Sequence, residues 1–142
     1  PSGKVTRGQF VSLLARTLKL EAAKEHPFKD VAGALEAEIA AAYKAGITAG
    51  LTKDKFDPNA QINREQMAAM LVRAYEVKTG KKYDPQAPAK FTDAEKVSNF
   101  AKDSINAVNE LGFMVGIGGE FQPKSKATRA QAAKVVSLLL NK

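Results

Sequence analysis

Hydrophobic positions recur with helical spacing in three stretches of the chain, which begin near residues 7, 64 and 129. Within each stretch most apolar side chains stand three or four residues apart, which predicts an amphipathic helix with one buried face. Because the three patterns match position by position, we expect three equivalent helices that pack against one another in a shared core. The positions are Phe10, Leu13, Leu14, Thr17 and Leu18, then Met67, Met70, Leu71, Ala74 and Tyr75, then Ala132, Val135, Val136, Leu139 and Leu140.

A six-residue motif stands at the start of each of these helices, at residues 5–10, 62–67 and 127–132. It reads V-T-R-G-Q-F, I-N-R-E-Q-M and A-T-R-A-Q-A. Its second residue is a good N-cap, because a short side-chain oxygen accepts a hydrogen bond from a backbone N–H of the first turn. Its fifth residue is always Gln, which is placed to bond back to the N–H of the cap and complete a capping box. The motif therefore predicts three helix N-termini.

The third residue of the motif is always arginine, at positions 7, 64 and 129. It stands at the first helical position, where the helix dipole mildly disfavours a cation. One interpretation is an ion pair with a nearby carboxylate such as Asp30 or Asp93. Another is that each arginine and the N–H groups beside it face an anionic ligand. Both interpretations can hold together.

A longer unit precedes the second and third of these helices. It contains another predicted helix, at about 35–44 and again at about 97–111, which ends at a glycine suited to a left-handed cap. The distance from Gly46 to Gly112 is 66 residues, and that from Arg64 to Arg129 is 65. A helix–loop–helix unit repeated at such a spacing predicts an all-α repeat architecture.

The repeats divide the chain into three parts, which together form one compact domain. We assign residues 1–26 to the second half of a first repeat, 27–84 to a second repeat and 85–142 to a third. Residues 79–90 are rich in Gly and Pro and read as the linker between the last two units. Because the helix cap follows so soon after residue 1, we expect a piece of a longer protein whose first repeat is incomplete.

The charge balance favours anionic partners, since the chain has 22 Lys and Arg residues but only 15 Asp and Glu residues, for a net charge of +7.

The chain has no Cys and a single His, His26, which we expect on the surface. The sequence therefore offers too few Cys and His side chains for a typical zinc site or for Ser-His or Cys-His catalysis. Residues 54–65 have the length of a calcium loop, but Phe56 and Pro58 occupy positions that need oxygen ligands. We expect no catalytic residue, metal or cofactor, and no apolar run approaches the roughly 20 residues of a membrane span.

In this order, the motifs resemble the S-layer homology domain family. Its repeat begins with a Phe-x-Asp-Val entry, runs through a helix to Gly-Ile-x-x-Gly, passes a Phe-x-Pro and ends in a helix that opens Ile-Thr-Arg-Ala-Glu. In the middle unit these elements are Phe28, Asp30, Val31, Gly46, Ile47, Gly50, Phe56, Pro58, Ile62, Asn63, Arg64 and Glu65. The last unit supplies Phe91, Asp93, Gly112, Gly116, Phe121, Pro123, Thr128, Arg129 and Gln131, and the first supplies Val5, Thr6, Arg7 and Gln9.

The resemblance implies three repeats around a pseudo-threefold axis, with the arginine-headed helices in a central bundle. It implies that grooves between repeats bind an anionic, pyruvylated secondary cell-wall polysaccharide and thereby anchor a secreted protein to the wall or S-layer of a Gram-positive cell. The family's usual Trp in the first helix is Ala34 in the middle unit and Phe100 in the last, which leaves Phe100 as the stacking face. The expected ligand-binding residues are Arg7, Arg64, Arg129, Asp30, Asp93, Gly50, Gly116 and Phe100.

Two other classes of function remain open alongside wall anchoring. The first is structural self-assembly, in which another chain fills the incomplete first repeat by domain swapping. The second is nucleic-acid binding, which the net charge permits, although no basic helix with interleaved aromatic residues supports it. Self-assembly is the stronger of these two alternatives, and we expect neither a nucleic-acid partner nor insertion into a membrane.

Overall fold

The computed structural model describes residues 3–142, and these residues form an all-α fold. The helices are α1 (Arg7–Thr17), α2 (Glu36–Ala45), α3 (Arg64–Thr79), α4 (Lys102–Glu110) and α5 (Arg129–Leu140). Two short 3₁₀ turns, Ala94–Lys96 and Asn99–Ala101, precede α4. Within residues 3–142, extended pairing is limited to isolated bridges, and no helix is long and apolar enough to cross a membrane. The predicted fold class is confirmed.

The three repeated motifs begin α1, α3 and α5 with complete capping boxes, as predicted. Thr6 Oγ1 accepts from the backbone N–H of Gln9 at 3.1 Å, and Gln9 Oε1 accepts from the N–H of Thr6 at 3.0 Å. Each box gives partners to two backbone N–H groups that a helix N-terminus otherwise leaves free. The equivalent pairs are Asn63 with Gln66 and Thr128 with Gln131.

A closed ring of backbone hydrogen bonds relates these three helix starts. Val5 N–H donates to the Ala127 carbonyl at 3.1 Å, Ala127 N–H donates to Ile62 at 2.9 Å, and Ile62 N–H donates to Val5 at 3.2 Å. Each segment thus contacts the next in the same way around an axis. The ring is the pseudo-threefold centre of the fold, and α1, α3 and α5 pack pairwise below it.

The core lies between these three helices and extends under the loops as one continuous cluster. Its central side chains are completely buried, and burial of a side chain of this size contributes about 1.5–3 kcal/mol to stability. They include Phe10, Leu14, Met67, Leu71 and Leu139. The apolar faces predicted from the sequence therefore meet, with one exception: Leu140 is 58% exposed and does not join the core.

The outer helices pack across repeat boundaries. The main packing partner of α2 is α1, and that of α4 is α3. The helix α5 contacts α1 and α3 but has no comparable outer helix within the described part of the chain. Two of the three central helices are therefore covered on their outer side and the third is not.

The first helix of the last unit is shorter than the predicted span of 97–111. Val97 and Ser98 are extended, a 3₁₀ turn follows, and α4 begins only at Lys102. The backbone N–H and hydroxyl of Ser98 donate to the Glu65 carboxylate at 3.0 and 2.6 Å. We attribute the extended backbone to these long-range bonds, which helical periodicity cannot reveal.

The expectation of an exposed His26 is also wrong. Its side chain is only 7% exposed, and its Nε2 lies 2.8 Å from Glu36 Oε2. The ring stacks on Phe28 at 5.8 Å between centroids, and its Nδ1 accepts from the Phe28 N–H. The chain between α1 and α2 folds back onto α2, so the imidazole serves that packing.

Candidate functional site

Arg64, the first residue of α3, is held in a socket made by the loops that follow α4. Its Nε donates to the Phe121 carbonyl at 2.8 Å and its Nη2 to the Val115 carbonyl at 3.1 Å. Its Cζ lies 4.9 Å from the centroid of the Phe121 ring, a cation–π contact. The residue is only 5% exposed. The socket therefore fixes the guanidinium and ties α3 to the next repeat.

Arg7 occupies an equivalent socket at the start of α1. Its Nε donates to the Phe56 carbonyl at 2.9 Å, its Nη2 donates to Ala49 at 3.1 Å, and its Cζ lies 4.7 Å from the Phe56 ring centroid. Neither Arg7 nor Arg64 forms a salt bridge with a described carboxylate, so the predicted direct ion pairs with aspartate are wrong. Burial lowers the pKa of both guanidinium groups from its ordinary value, yet arginine stays protonated in proteins.

One nitrogen of each buried guanidinium remains available. The Nη1 of Arg7 and of Arg64 has no hydrogen-bond partner among residues 3–142. Within the same residues, no completely buried polar side-chain atom lacks a partner. Each Nη1 therefore keeps contact with solvent. Arg7 and Arg64 are thus fixed cations, and each presents one nitrogen whose N–H groups are free to donate.

Asp93 and Asp30 clamp the backbone that forms these sockets. The two carboxylate oxygens of Asp93 accept from the N–H groups of Phe121 and Gln122, both at 2.9 Å. Asp30 accepts from Phe56 at 2.9 Å and from the next residue at 2.8 Å. The observed hydrogen bonds of both carboxylates are with the protein itself, and their role in ligand binding stays a prediction.

The pKa values of both aspartates follow from this clamp. The hydrogen bond from the Phe56 N–H is the main cause that lowers the pKa of Asp30 below its usual value. Burial alone would raise the pKa of Asp93, but the hydrogen bonds from Phe121 and Gln122 outweigh it and lower that pKa as well. Both groups are therefore charged at neutral pH.

Gly116 and Gly50 lie in the loops that supply the sockets. A Cβ on Gly116 would lie 2.8 Å from Cε1 of Phe91 and 2.9 Å from the Glu120 carbonyl oxygen. A Cβ on Gly50 would meet the Phe28 ring in the same manner. The glycines are thus required by the close approach of the protein's own aromatic rings. A role for them in lining a ligand groove stays a prediction.

A cavity of about 190 Å³ opens beside Arg64. Its walls are the start of α3, the loop at residues 112–117, and the side chains of Gln131, Lys134 and Val135 on α5. We call it the Arg64 groove. Lys134 brings a second cation to it, although no repeated motif in the sequence includes this residue. The equivalent positions on α1 and α3 are Ser12 and Ala69, so a comparison of the three helices could have singled it out.

Arg129 differs from the other two arginines. It is exposed, and its guanidinium has no socket among the described residues. It lines a wider cavity of about 330 Å³ together with Gln9, Ser12 and Arg16. The structure therefore does not bring the three arginines into equivalent surroundings. Phe100 is 60% exposed and lines neither of these cavities, so its stacking role stays a prediction.

A further cavity, of about 690 Å³, lies between residues 22–27 and the end of α2, and none of the three arginines lines it. No group of three or more His, Cys, Asp or Glu side chains within residues 3–142 is placed to hold a metal ion.

Comparison with known proteins places this chain among surface proteins. The model of the S-layer homology domain family matches residues 27–68 and 90–133. An endoglucanase of Bacillus sp. (strain KSM-635) is 46% identical over 142 residues, which are 99% of this chain and 15% of that protein. The S-layer protein sap of Bacillus anthracis is 36% identical over 140 residues, which are 96% of this chain and 17% of that protein.

Among solved structures, the undecaheme cytochrome from the S-layer of Carboxydothermus ferrireducens matches with a TM-score of 0.55 and 16% identity. The match covers 97% of this chain and 17% of the cytochrome chain, and at that identity it supports the fold alone. The chain thus spans about a sixth of each of these proteins.

Proposed function

Because this chain belongs to the S-layer homology domain family, we propose that it holds a surface protein on the bacterial wall by binding an acidic secondary polysaccharide. The chain is a cell-surface module of the kind found in S-layer proteins. It corresponds to only a small part of its enzyme relatives, whose catalysis we assign to their other regions. The module itself is non-catalytic.

The observation that carries the proposal is the pair of cations at the Arg64 groove. The Arg64 Nη1 keeps a free donor edge, and Lys134 lines the same groove. A carboxylate suits a guanidinium because its oxygens match the planar donor geometry. We therefore propose that a pyruvate-type carboxylate on the polysaccharide binds between Arg64 and Lys134. The net charge of +7 adds long-range attraction for such a polyanion.

The socket makes Arg64 a favourable reader of a carboxylate. Its Nε and Nη2 are already fixed by two backbone carbonyls, so the side chain loses little conformational freedom when a ligand arrives. Ordering a free side chain of this kind costs about 0.5–1.5 kcal/mol on binding. Lys134 is exposed, so ordering its side chain on binding still carries this entropic cost. We therefore expect Lys134 to adjust to the ligand rather than to define the site.

Binding to purified Gram-positive cell wall tests the proposal. Three preparations are compared: intact wall, wall with its secondary polysaccharide extracted, and wall stripped of pyruvate groups. We expect binding to the intact wall and its loss in both other preparations. Retention on pyruvate-free wall would contradict the carboxylate reading, and retention on bare peptidoglycan would contradict a specific polysaccharide ligand.

Two lysine substitutions, one in the groove and one outside it, test whether the groove itself binds the wall. Lys134→Ala removes a groove cation, and we expect it to weaken wall binding about three- to tenfold, the effect of one partly screened charge. Lys90→Ala removes an exposed lysine that forms no described salt bridge and does not line the groove, and it leaves binding unchanged. Equal effects of the two substitutions would mean that the overall charge, and not the groove, drives binding.

A further inference from the structure

His26 binds the chain between α1 and α2 through both of its ring nitrogens. Its Nδ1 accepts from the backbone N–H of Phe28 at 3.1 Å, and its Nε2 lies 2.8 Å from Oε2 of Glu36. A neutral imidazole has one donor nitrogen and one acceptor nitrogen. Because Nδ1 is the acceptor, the proton is on Nε2, and Nε2–H donates to the Glu36 carboxylate. The observed contacts therefore require the neutral ring in one tautomer.

A second proton on this ring is incompatible with one of the two contacts. Protonation makes Nδ1 a donor, so Nδ1–H and the N–H of Phe28 would point at each other. The contact with Glu36 survives, since Nε2 donates in both forms. Phe28 is only 4% exposed, and a buried N–H without an acceptor is costly. Histidine changes its charge between about pH 5 and pH 8, so acid in this range opposes the Phe28 hydrogen bond.

The charged and titratable groups that face the ring come from both segments packed against it. They are Lys24, Glu25, Glu36, Tyr43 and Lys44. Two of them are lysines and two are glutamates, so their formal charges cancel. The loop after α2 adds Asp54, which is paired with Lys29. The hydrogen bonds of the ring, rather than a local excess of charge, therefore distinguish its two protonation states.

Phe28 connects this ring to the Arg7 socket. The Phe28 and Phe56 rings lie 5.2 Å apart between centroids, and a Cβ on Gly50 would overlap Cε1 of Phe28. Phe56 in turn supplies a carbonyl oxygen and an aromatic ring to Arg7. A displacement of Phe28 therefore loosens the socket that fixes the Arg7 guanidinium.

The Arg64 socket is connected to its neighbouring helix in a different way. It rests on Phe121, which packs on Phe91 at 5.3 Å between ring centroids. Two residues before Phe91 stands Ala89 in place of histidine, and its N–H donates to Oδ1 of Asn106 at 2.8 Å. An amide side chain does not titrate near neutral pH, so this connection is the same in acid.

We propose that His26 is an acid-sensitive latch that acts on the Arg7 socket and not on the Arg64 socket. Near neutral pH the uncharged ring holds Phe28, and through it Phe56, against Arg7. On protonation the ring releases the Phe28 N–H, so the free nitrogen of the Arg7 guanidinium loses its fixed direction. The Arg64 groove keeps its geometry over the same range.

NMR of the 142-residue chain between about pH 8 and pH 5 tests the latch. Long-range ¹H–¹⁵N spectra of the imidazole report which nitrogen carries the proton, and hydrogen exchange of the Arg7 and Arg64 Nε–H groups reports how firmly each socket is closed. The ratio of the two exchange rates in one sample cancels the intrinsic effect of pH. We expect the Nε2–H tautomer at the upper limit. At the lower limit we expect Arg7 to exchange about five- to tenfold faster relative to Arg64, the effect of one lost hydrogen bond.

Two substitutions separate the latch from a general effect of acid. His26→Asn retains an oxygen that can accept from the Phe28 N–H but does not titrate in this range, so its rate ratio stays at the high-pH value of the wild type. His26→Ala removes the acceptor at every pH, so its ratio is raised throughout. The Asp30 and Asp93 clamps stay charged, because their pKa values lie below the usual value for aspartate.

Three results would overturn the proposal. The first is a ring that carries its proton on Nδ1 at the upper limit of the range. The second is a wild-type rate ratio that does not change with pH. The third is a pH dependence in His26→Asn equal to that of the wild type. Slow exchange at Arg64 in every sample shows that the domain itself is folded.

Discussion

Replacing Asp93 tests whether buried carboxylates build the arginine sockets. Asp93 is 4% exposed and accepts two backbone hydrogen bonds, from Phe121 and Gln122. Hydrogen bonds to a charged group each contribute about 1.5–3 kcal/mol, and a buried N–H left without a partner costs about 1–3 kcal/mol. These terms overlap, so we expect Asp93→Ala to lower the free energy of unfolding by about 2–4 kcal/mol.

Asp30 provides a matched comparison within the same molecule. It makes the same two backbone hydrogen bonds, but it is exposed, so water can replace the lost carboxylate. We expect Asp30→Ala to cost about 1 kcal/mol. Asp93→Asn keeps one acceptor oxygen and should fall between the two alanine variants. Urea denaturation followed by circular dichroism measures all three free energies.

The same carboxylates predict how stability depends on pH. Their folded pKa values lie below the ordinary value, so their contribution is complete above the unfolded pKa of about 3.9 and is lost as pH falls through the folded pKa. We expect the wild-type protein to lose more stability than Asp93→Asn between pH 5 and pH 2. Two results would refute the role of Asp93 as a clamp on the socket loop. One is an equal loss of unfolding free energy in Asp93→Ala and Asp30→Ala, and the other is equal acid sensitivity of the wild type and Asp93→Asn.

Further substitutions probe the glycine and the arginines. Gly116→Ala places a Cβ 2.8 Å from the Phe91 ring, and we expect it to lower the free energy of unfolding by about 1–3 kcal/mol, measured in urea. Arg64→Ala leaves its socket carbonyls without donors and should cost about 2–4 kcal/mol. Arg129→Ala should change stability by less than about 0.5 kcal/mol in the 142-residue chain, because this side chain is exposed. A large loss from Arg129→Ala, or none from Arg64→Ala, would contradict the assigned surroundings.

The helix starts were predictable because their signals are local. A capping box spans only four residues, so Thr6 and Gln9 predict the start of α1 from the local sequence alone. The same holds for Gly46, which ends α2 in the left-handed conformation at φ 85°. Repetition then supplied the architecture, since equal motifs at nearly equal spacing imply equivalent packing.

The surroundings of the arginines were not predictable, because the partners lie far away in sequence. The Arg64 socket uses carbonyl groups of Val115 and Phe121, which are 51 and 57 residues distant. Every residue has a carbonyl, so no sequence pattern marks the two that bind. For the same reason the sequence pointed to Asp93 as a direct partner of Arg64, whereas Asp93 binds the loop that carries those carbonyls.

Two other sequence predictions, the long helix at 97–111 and the exposed His26, were wrong for the same reason. Ser98 is extended because its N–H and hydroxyl bond to Glu65, a contact across 33 residues that helical periodicity does not contain. His26 is covered because the preceding chain folds back onto α2, where Glu36 bonds to its ring. In both cases a tertiary hydrogen bond overrides the local preference.

The central claim is that the Arg64 groove binds an acidic polysaccharide, and NMR titration tests it most directly. Soluble secondary polysaccharide is added to the ¹⁵N-labelled chain, with and without its pyruvate groups. The account predicts amide shifts confined to the start of α3 at Arg64, to residues 112–117 and to α5 near Lys134, and only for the pyruvylated form. Shifts centred instead on residues 22–27, or equal shifts with the pyruvate-free form, would contradict it.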